Sequence, residues 1–238
     1  MIVIPAIDIL DGRVVRLEQG CPDRELRING SLESLARKWE EQGAGLLHLV
    51  DIGAALGRTP FNRDNALLAQ RIRTRVQMAG GVRTRELAAT LLDSGVYRVV
   101  MGTVCVEQPA VLEGLVEEYG DERVAVALDC DGTGIRTHGW THRTERSLSG
   151  FVESLCDAGV SVFIVTAVKH DGMLCGPDLR LMETVMASGV SRLIAAGGIG
   201  SLQDIERVRD LGAEGVVIGR ALYENRFSFS EASAAARG

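Results

Sequence analysis

RVQMAGGVRT (residues 75–84) returns near the other end of the chain as RLIAAGGIGS (residues 192–201). Arg75 aligns with Arg192, Ala79 with Ala196, and Gly80-Gly81 with Gly197-Gly198, an offset of 117 residues (192 less 75). Each copy is a short apolar run that stops at a glycine pair. That is the pattern of a buried strand turning sharply into the next element. A chain carrying this unit twice is built from repeated strand–turn modules.

Working outward, GVYRVVMGT (95–103) answers GAEGVVIGR (212–220), and GAGLLHLVD (43–51) answers GVSVFIVTA (159–167). The first strand, ending in Asp8, answers the fifth, ending in Asp129. Strand-like runs occupy 2–8, 46–51, 76–79, 98–101, 124–129, 162–166, 193–196 and 215–219. Amphipathic stretches such as SLESLARKWEEQG, RELAATLLDSG and SLQDIERVRDLG lie between them, several opened by Ser or Thr and closed by Gly. Strands alternating with helices must pair in parallel, because a parallel pair needs a crossover of a dozen or so residues. Eight such units in 238 residues predict an α/β fold, the (β/α)8 TIM barrel, made of two similar (β/α)4 halves at about 1–120 and 121–238. Neither half can close a barrel alone, so residues 1–238 are expected to form one domain. The rival, a doubly wound open sheet, calls for GxGxxG after its first strand, and PAIDILDGR carries none.

The net charge of −6 supplies no global field for nucleic acid or an acidic membrane, so neither is expected as a partner. An anion would have to be held by local donors. Five scattered cysteines (Cys21, Cys105, Cys130, Cys156, Cys175), odd in number and without a CxxC pair, predict reduced thiols and a cytoplasmic location. MIVIPAIDILDGR has no basic leader and reaches Asp8 too early for a signal peptide, and no run of about 18 apolar residues could span a membrane. The four histidines form no helical metal-ligand spacing, so no metal is expected. His48, alternating with Leu47 and Leu49, reads as a hydrogen-bonded core residue.

Function in this architecture gathers at the C-terminal ends of the strands. There, glycines let backbone N–H groups approach an anion, and helix N-termini add partial positive charge. Gly80, Gly81, Gly102 and Thr103 in the first half, and Gly197, Gly198, Gly219 and Arg220 in the second, therefore predict two phosphate cradles on opposite sides of one mouth. The alternative is that these glycines serve tight turns only. Asp8 and Asp129 end apolar strands between the cradles, where an idle charge would be costly to desolvate. Two such carboxylates can divide acid and base roles if their surroundings push their pKa values apart. Otherwise they cap a loop or pair with an arginine.

These residues resemble a known family. PAID (5–8), DGRVVRLEQG (11–20), HLVD (48–51), GGVR (80–83), ALD (127–129), GW (139–140), DGMLCGPD (171–178), AAGGIGS (195–201) and VIGRALYE (217–224) are similar to the ProFAR isomerases of histidine biosynthesis, in order and over nearly the whole chain. IPAID and GW favour the isomerase over the similar cyclase subunit of imidazole glycerol phosphate synthase. The resemblance implies a cofactor-independent Amadori rearrangement of an aminoaldose to an aminoketose, on a small bisphosphorylated substrate, by a monomer. One carboxylic acid would protonate the ribose ring oxygen, opening the ring to a Schiff base. A carboxylate would then take the proton from the neighbouring carbon to give an enolamine. By the same resemblance Asp8 is the base and Asp129 the acid. The resemblance also implies that Thr166 and Asp171 lie beside the reacting sugar, with Asp171 in a loop that orders on binding. It implies as well that Trp140 stacks on the aminoimidazole, that Asp51 is a substrate contact, and that Arg16 and Arg83 lie near the phosphates.

The chain departs from the family at three places. Ala79 stands where the family reads glycine, and Ala167 where an acidic residue is common. Ala167 has Asp51 as its symmetry mate. The fifth loop, DCDGTGIRTHGWTHRTERS, is unusual in its TGIRTHGW portion. Two alternatives accompany the leading reading. One is a bifunctional relative that also isomerises phosphoribosyl anthranilate, in which an arginine stands where this chain has His138. The other is a non-catalytic phosphate-ligand binder, against which the intact Asp8 and Asp129 argue.

Overall fold

The computed structural model describes residues 1–132 and 134–238, apart from the side chain of Pro22; Thr133, in the unusual fifth loop, lies outside the described residues. The first half runs β1 (Ile2–Leu10), β2 (Arg13–Glu18), β3 (Cys21–Arg27), α1 (Leu32–Glu41), β4 (Leu46–Asp51), α2 (Ile52–Ala55), α3 (Leu68–Arg71), β5 (Arg75–Ala79), α4 (Arg85–Asp93), β6 (Arg98–Met101), α5 (Thr103–Glu107) and α6 (Leu115–Tyr119). The second half continues with β7 (Val124–Asp131), β8 (Gly134–Thr137), β9 (His142–Arg143), α7 (Leu148–Asp157), β10 (Val162–Ala167), α8 (Leu179–Ala187), β11 (Arg192–Ala196), α9 (Leu202–Asp210), β12 (Gly215–Ile218), α10 (Arg220–Tyr223) and α11 (Phe229–Arg237).

β1, β4, β5, β6, β7, β10, β11 and β12 pair in parallel in that order, and β12 returns to β1, closing an eight-stave barrel. The halves join where β6 meets β7 and where β12 meets β1. The fold is a (β/α)8 barrel. Alternate residues of every stave fill its inside: Ile4 and Ala6, Leu46, Ala79, Val100, Ala125, Val162 and Ile164, Ile194 and Ala196, and Val217. Their neighbours, among them Ile7, Leu49, Met78, Val126, Phe163 and Val216, pack outward against the helices in a second, larger cluster. Burial on both faces is why each stave reads as a continuous apolar run and not as alternation. Among the described residues no helix is long and apolar enough to cross a membrane.

The structure departs from the sequence reading in three places. The loops after the first and fifth staves each fold back as a hairpin: β2 pairs antiparallel with β1 and β3, and β8 with β7 and β9. The crossovers after β4 and β6 carry only short helical pieces. The tail after Phe227, whose SFSEASAAARG reads as a last short helix fraying to a loose end, is the nine-residue α11, opened by a reciprocal Ser228–Glu231 capping box and helical to Arg237. Its Phe229, Ala232 and Ala236 are buried, and Phe229 lies 6.3 Å from the Trp39 ring of α1.

Candidate active site

Strand alternation decides which side chains reach the mouth. Asp8 continues the inward series Ile4–Ala6, Asp129 the series Ala125–Ala127, and Thr166 the series Val162–Ile164. All three line a single cavity at the C-terminal ends of the staves, with Arg16, Trp140 and Asp171 on its walls. Gly80, Gly81, Arg83, Gly102 and Thr103 form one rim, and Gly197, Gly198, Gly219 and Arg220 the other. Asp51 is the exception. It follows the inward Val50, so its side chain faces away from the cavity. There it caps α2, accepting from the Ala54 amide at 2.9 Å and from the Asn62 amide at 3.0 Å. Its symmetry mate Ala167 carries no such cap, so the missing acid there removes no cavity group.

The two rims match in conformation as well as in sequence. Gly80 and Gly81 have φ of +86° and +78°, and Gly197 and Gly198 have +87° and +86°. Gly102 and Gly219, ahead of α5 and α10, share φ near −116° and −107°. Only glycine enters the left-handed region without strain. A Cβ on Gly81 would lie 2.5 Å from the Ala54 methyl, and one on Gly197 would lie 3.0 Å from the Ala167 carbonyl. Tight turning and close packing therefore account for these glycines in part. α4 and α9 have their first amides capped by Thr84 and by the Ser201–Asp204 box, whereas α5 and α10, opening directly after Gly102 and Gly219, have no side-chain cap bond and leave amides for a ligand at the rim. Arg220 is tied to Glu18 and Glu224, each at 2.5 Å, and Arg83 donates to the Ala55 carbonyl at 3.0 Å. The Thr103 hydroxyl accepts from the His138 amide at 2.9 Å.

Between the rims the carboxylates sit in unlike surroundings. Asp8 holds an ion pair with Arg16 at 2.6 Å; burial raises its pKa above the ordinary value, and the guanidinium opposes the rise. Arg16 also donates to the Ala6 carbonyl and stands 5.1 Å from the Tyr223 ring centre. A Cβ on Gly219 would fall 2.7 Å from the Arg16 guanidinium carbon, so Arg16 links Asp8 to the second rim. Asp129 is likewise raised by burial, against side-chain hydrogen bonding from Trp140 and Thr166 that favours its ionised form. Asp171 is pushed up to about 7, by burial and by the negative charges of Asp8 and Asp129.

Three loops meet over this cavity. The Gln19 amide donates to the Asp171 carbonyl at 3.0 Å, and Arg220 donates to the Gly172 carbonyl at 2.6 Å. Trp140 packs on Gly20, where a Cβ would fall 2.8 Å from its ring atom Cζ3. His138 turns outward to Glu107, 3.2 Å from its Nε2, and is not among the cavity residues. His48 is hydrogen-bonded and buried as its strand position suggested, but it also lines the cavity floor. Its place on the same face as Val50 was the signal for that.

Residues 2–228 match the profile of the family described as "Histidine biosynthesis protein". A protein of Deinococcus radiodurans is 41% identical over 227 residues, covering 95% of each chain. One from Halothermothrix orenii is 35% identical over 94% of this chain and 95% of its own. One from Methanothermobacter thermautotrophicus is 35% identical over 98% and 97%. All three carry the name 1-(5-phosphoribosyl)-5-((5-phosphoribosylamino)methylideneamino)imidazole-4-carboxamide isomerase.

Proposed function

We propose, from the premise that the chain belongs to the histidine biosynthesis protein family, that its cavity isomerises this same bis(phosphoribosyl) imidazole carboxamide. The chain is an isomerase of histidine biosynthesis. The observation that carries the site assignment is the pair of matched rims on opposite sides of one cavity, with carboxylates between them. A substrate with a phosphoribosyl group at each end spans such a mouth. The aminoaldose-to-aminoketose step needs an acid at the ring oxygen and a base at the adjacent carbon.

Asp8 takes the base role: burial raises its carboxyl, and the Arg16 cation 2.6 Å away opposes that rise and favours the ionised form. Resemblance to the family gives the acid role to Asp129, whose pKa burial raises against the hydrogen bonds it accepts from Trp140 and Thr166. Asp171, which lines the same cavity and has a pKa of about 7, can also hold a proton at neutral pH and release it, and we assign it the acid role. Asp129 then grips the sugar hydroxyls beside Thr166. Trp140, roofing the cavity, stacks on the imidazole.

The test is conversion of the purified protein's substrate by wild type and by Asp8→Asn, Asp129→Asn and Asp171→Asn. Loss of one acid–base group should cost about 10²–10⁴ in kcat. Asp8→Asn and Asp171→Asn should show this loss while substrate binding survives, and Asp129→Asn should raise KM more than it lowers kcat. Absence of wild-type turnover would overturn the function, and an active Asp8→Asn would overturn the base assignment.

A further inference from the structure

The layer beneath the carboxylates is not wholly apolar. In the stave register His48 lies opposite Gln77, and Gln77 opposite Arg98. The three side chains share the inward face at 8%, 0% and 2% exposure. Gln77 Nε2 is 2.9 Å from His48 Nδ1, and Arg98 Nη1 donates to Gln77 Oε1 at 3.1 Å. Arg98 is anchored in turn by Nε donating to the Glu122 carbonyl at 2.6 Å, at the end of the barrel away from the cavity. A polar chain thus crosses the barrel from its closed end to the floor of the site.

Every proton in that chain has a forced position. A guanidinium only donates, so the Gln77 atom facing it is the carbonyl oxygen. The amide nitrogen then faces His48 and donates, which makes Nδ1 the acceptor. A neutral imidazole that accepts at Nδ1 carries its proton on Nε2. Amide orientation is ordinarily open to either assignment, and here the arginine removes the choice. Burying such groups among Ala, Val and Ile brings no stability over an apolar filling of the same volume. What the chain achieves lies at its upper end, where His48 meets the cavity.

We propose that Arg98 and Gln77 are positioning residues that lock His48 as a neutral Nε2–H donor to an oxygen of the reacting sugar. The identity of the acceptor rests on the isomerase reading; the lock itself does not. Among the described residues, Arg16 from β2 and Arg98 from β6 are the charged groups that act on the ring. Burial and the two arginines push its pKa down to about 3, so His48 stays neutral through the working range and takes no part as acid or base.

The first test needs no variant. In protein labelled with ¹⁵N-histidine, His48 should show an unprotonated Nδ1 and a protonated Nε2, unchanged between about pH 5 and 8. A His48→Asn sample assigns the signal. A proton on Nδ1, or titration near the ordinary value of about 6.5, overturns the lock whatever the substrate. Gln77→Glu places an acceptor against Nδ1 and should move the proton there, lowering kcat about 100-fold with KM within about threefold, as for loss of one preorganised donor. Should that variant not fold, Arg98→Lys, which still donates to Gln77, should keep the wild-type tautomer and most of kcat. Arg98→Met, which frees the amide to turn, should lose both. Full kcat in a folded variant whose tautomer has changed overturns the role in catalysis. A correct tautomer in a protein that turns over nothing condemns the isomerase reading and leaves the lock standing.

Discussion

Asp171→Asn should make the protein more stable at alkaline pH while disabling it. The Asp171 carboxyl titrates at 3.8 when unperturbed and at about 7 in the folded chain, because burial and the charges of Asp8 and Asp129 disfavour its ionised form. Between those values the folded state binds the proton more tightly than the unfolded state does. Folding stability therefore falls as pH rises from 3.8 to about 7 and is flat beyond, whereas below 3.8 the group contributes nothing. At about 1.4 kcal/mol per pH unit the full penalty is about 4 kcal/mol. Asp171 is half-buried on a cavity wall, and solvent relaxation there should reduce this to roughly 2 kcal/mol. For a domain of this size that is about 4–8 °C in Tm, at roughly 2–4 °C per kcal/mol. Asparagine keeps the shape and removes the charge. Thermal melts in phosphate-free buffer should show wild type and Asp171→Asn together near pH 4 and separated near pH 8, the variant higher. The rate profile should agree: wild-type kcat/KM should fall as pH rises through about 7, as the acid loses its proton. A Tm difference independent of pH, or a variant less stable than wild type at pH 8, would refute the electrostatic account of the site.

Other outcomes follow from packing. Gly80→Ala would run its methyl into the Asp51 backbone at φ +86°, where no flexible side chain can give way. It should cost about 3 kcal/mol or more, while Gly43→Ala, at φ +90° with nothing within 4 Å, should cost only ~1 kcal/mol. Denaturant melts distinguish these, and equal costs would show that the rim turn is not close-packed. Phe229→Ala should cost about 3 kcal/mol if α11 is docked on Trp39, and a cost near zero would mean that the tail frays after all.

The barrel was legible because its signals are local and repeated. Apolar runs ending in Ala79 and Ala196 mark strand ends directly, those ending in Asp8 and Asp129 stop two residues short of the ends at Leu10 and Asp131, and duplication shows which ends correspond. The hairpins after β1 and β7 escaped notice because RVVRLE and GIRT pair only with a stave and a short partner; polar loop residues around them hide the alternation. α11 reads as a last short helix in the sequence, and what differs is its end, which holds to Arg237 because Phe229, Ala232 and Ala236 dock one helical face. Asp51 was misplaced because a matching motif gives position but not facing; counting one residue beyond the inward Val50 would have turned it outward. Asp171 could be named from sequence but not given its charge state. Its pKa is raised first by burial in the closed barrel and then by Asp8 and Asp129, which are distant in the chain and near only across the mouth.

Soaking or co-crystallising the protein with inorganic phosphate tests the central claim most directly. The account predicts two anions at once, one beside Gly80-Gly81 and Gly102-Thr103 and the other beside Gly197-Gly198 and Gly219-Arg220, with Asp8 between them. Density at one rim only, or at neither while phosphate saturates elsewhere, would contradict it.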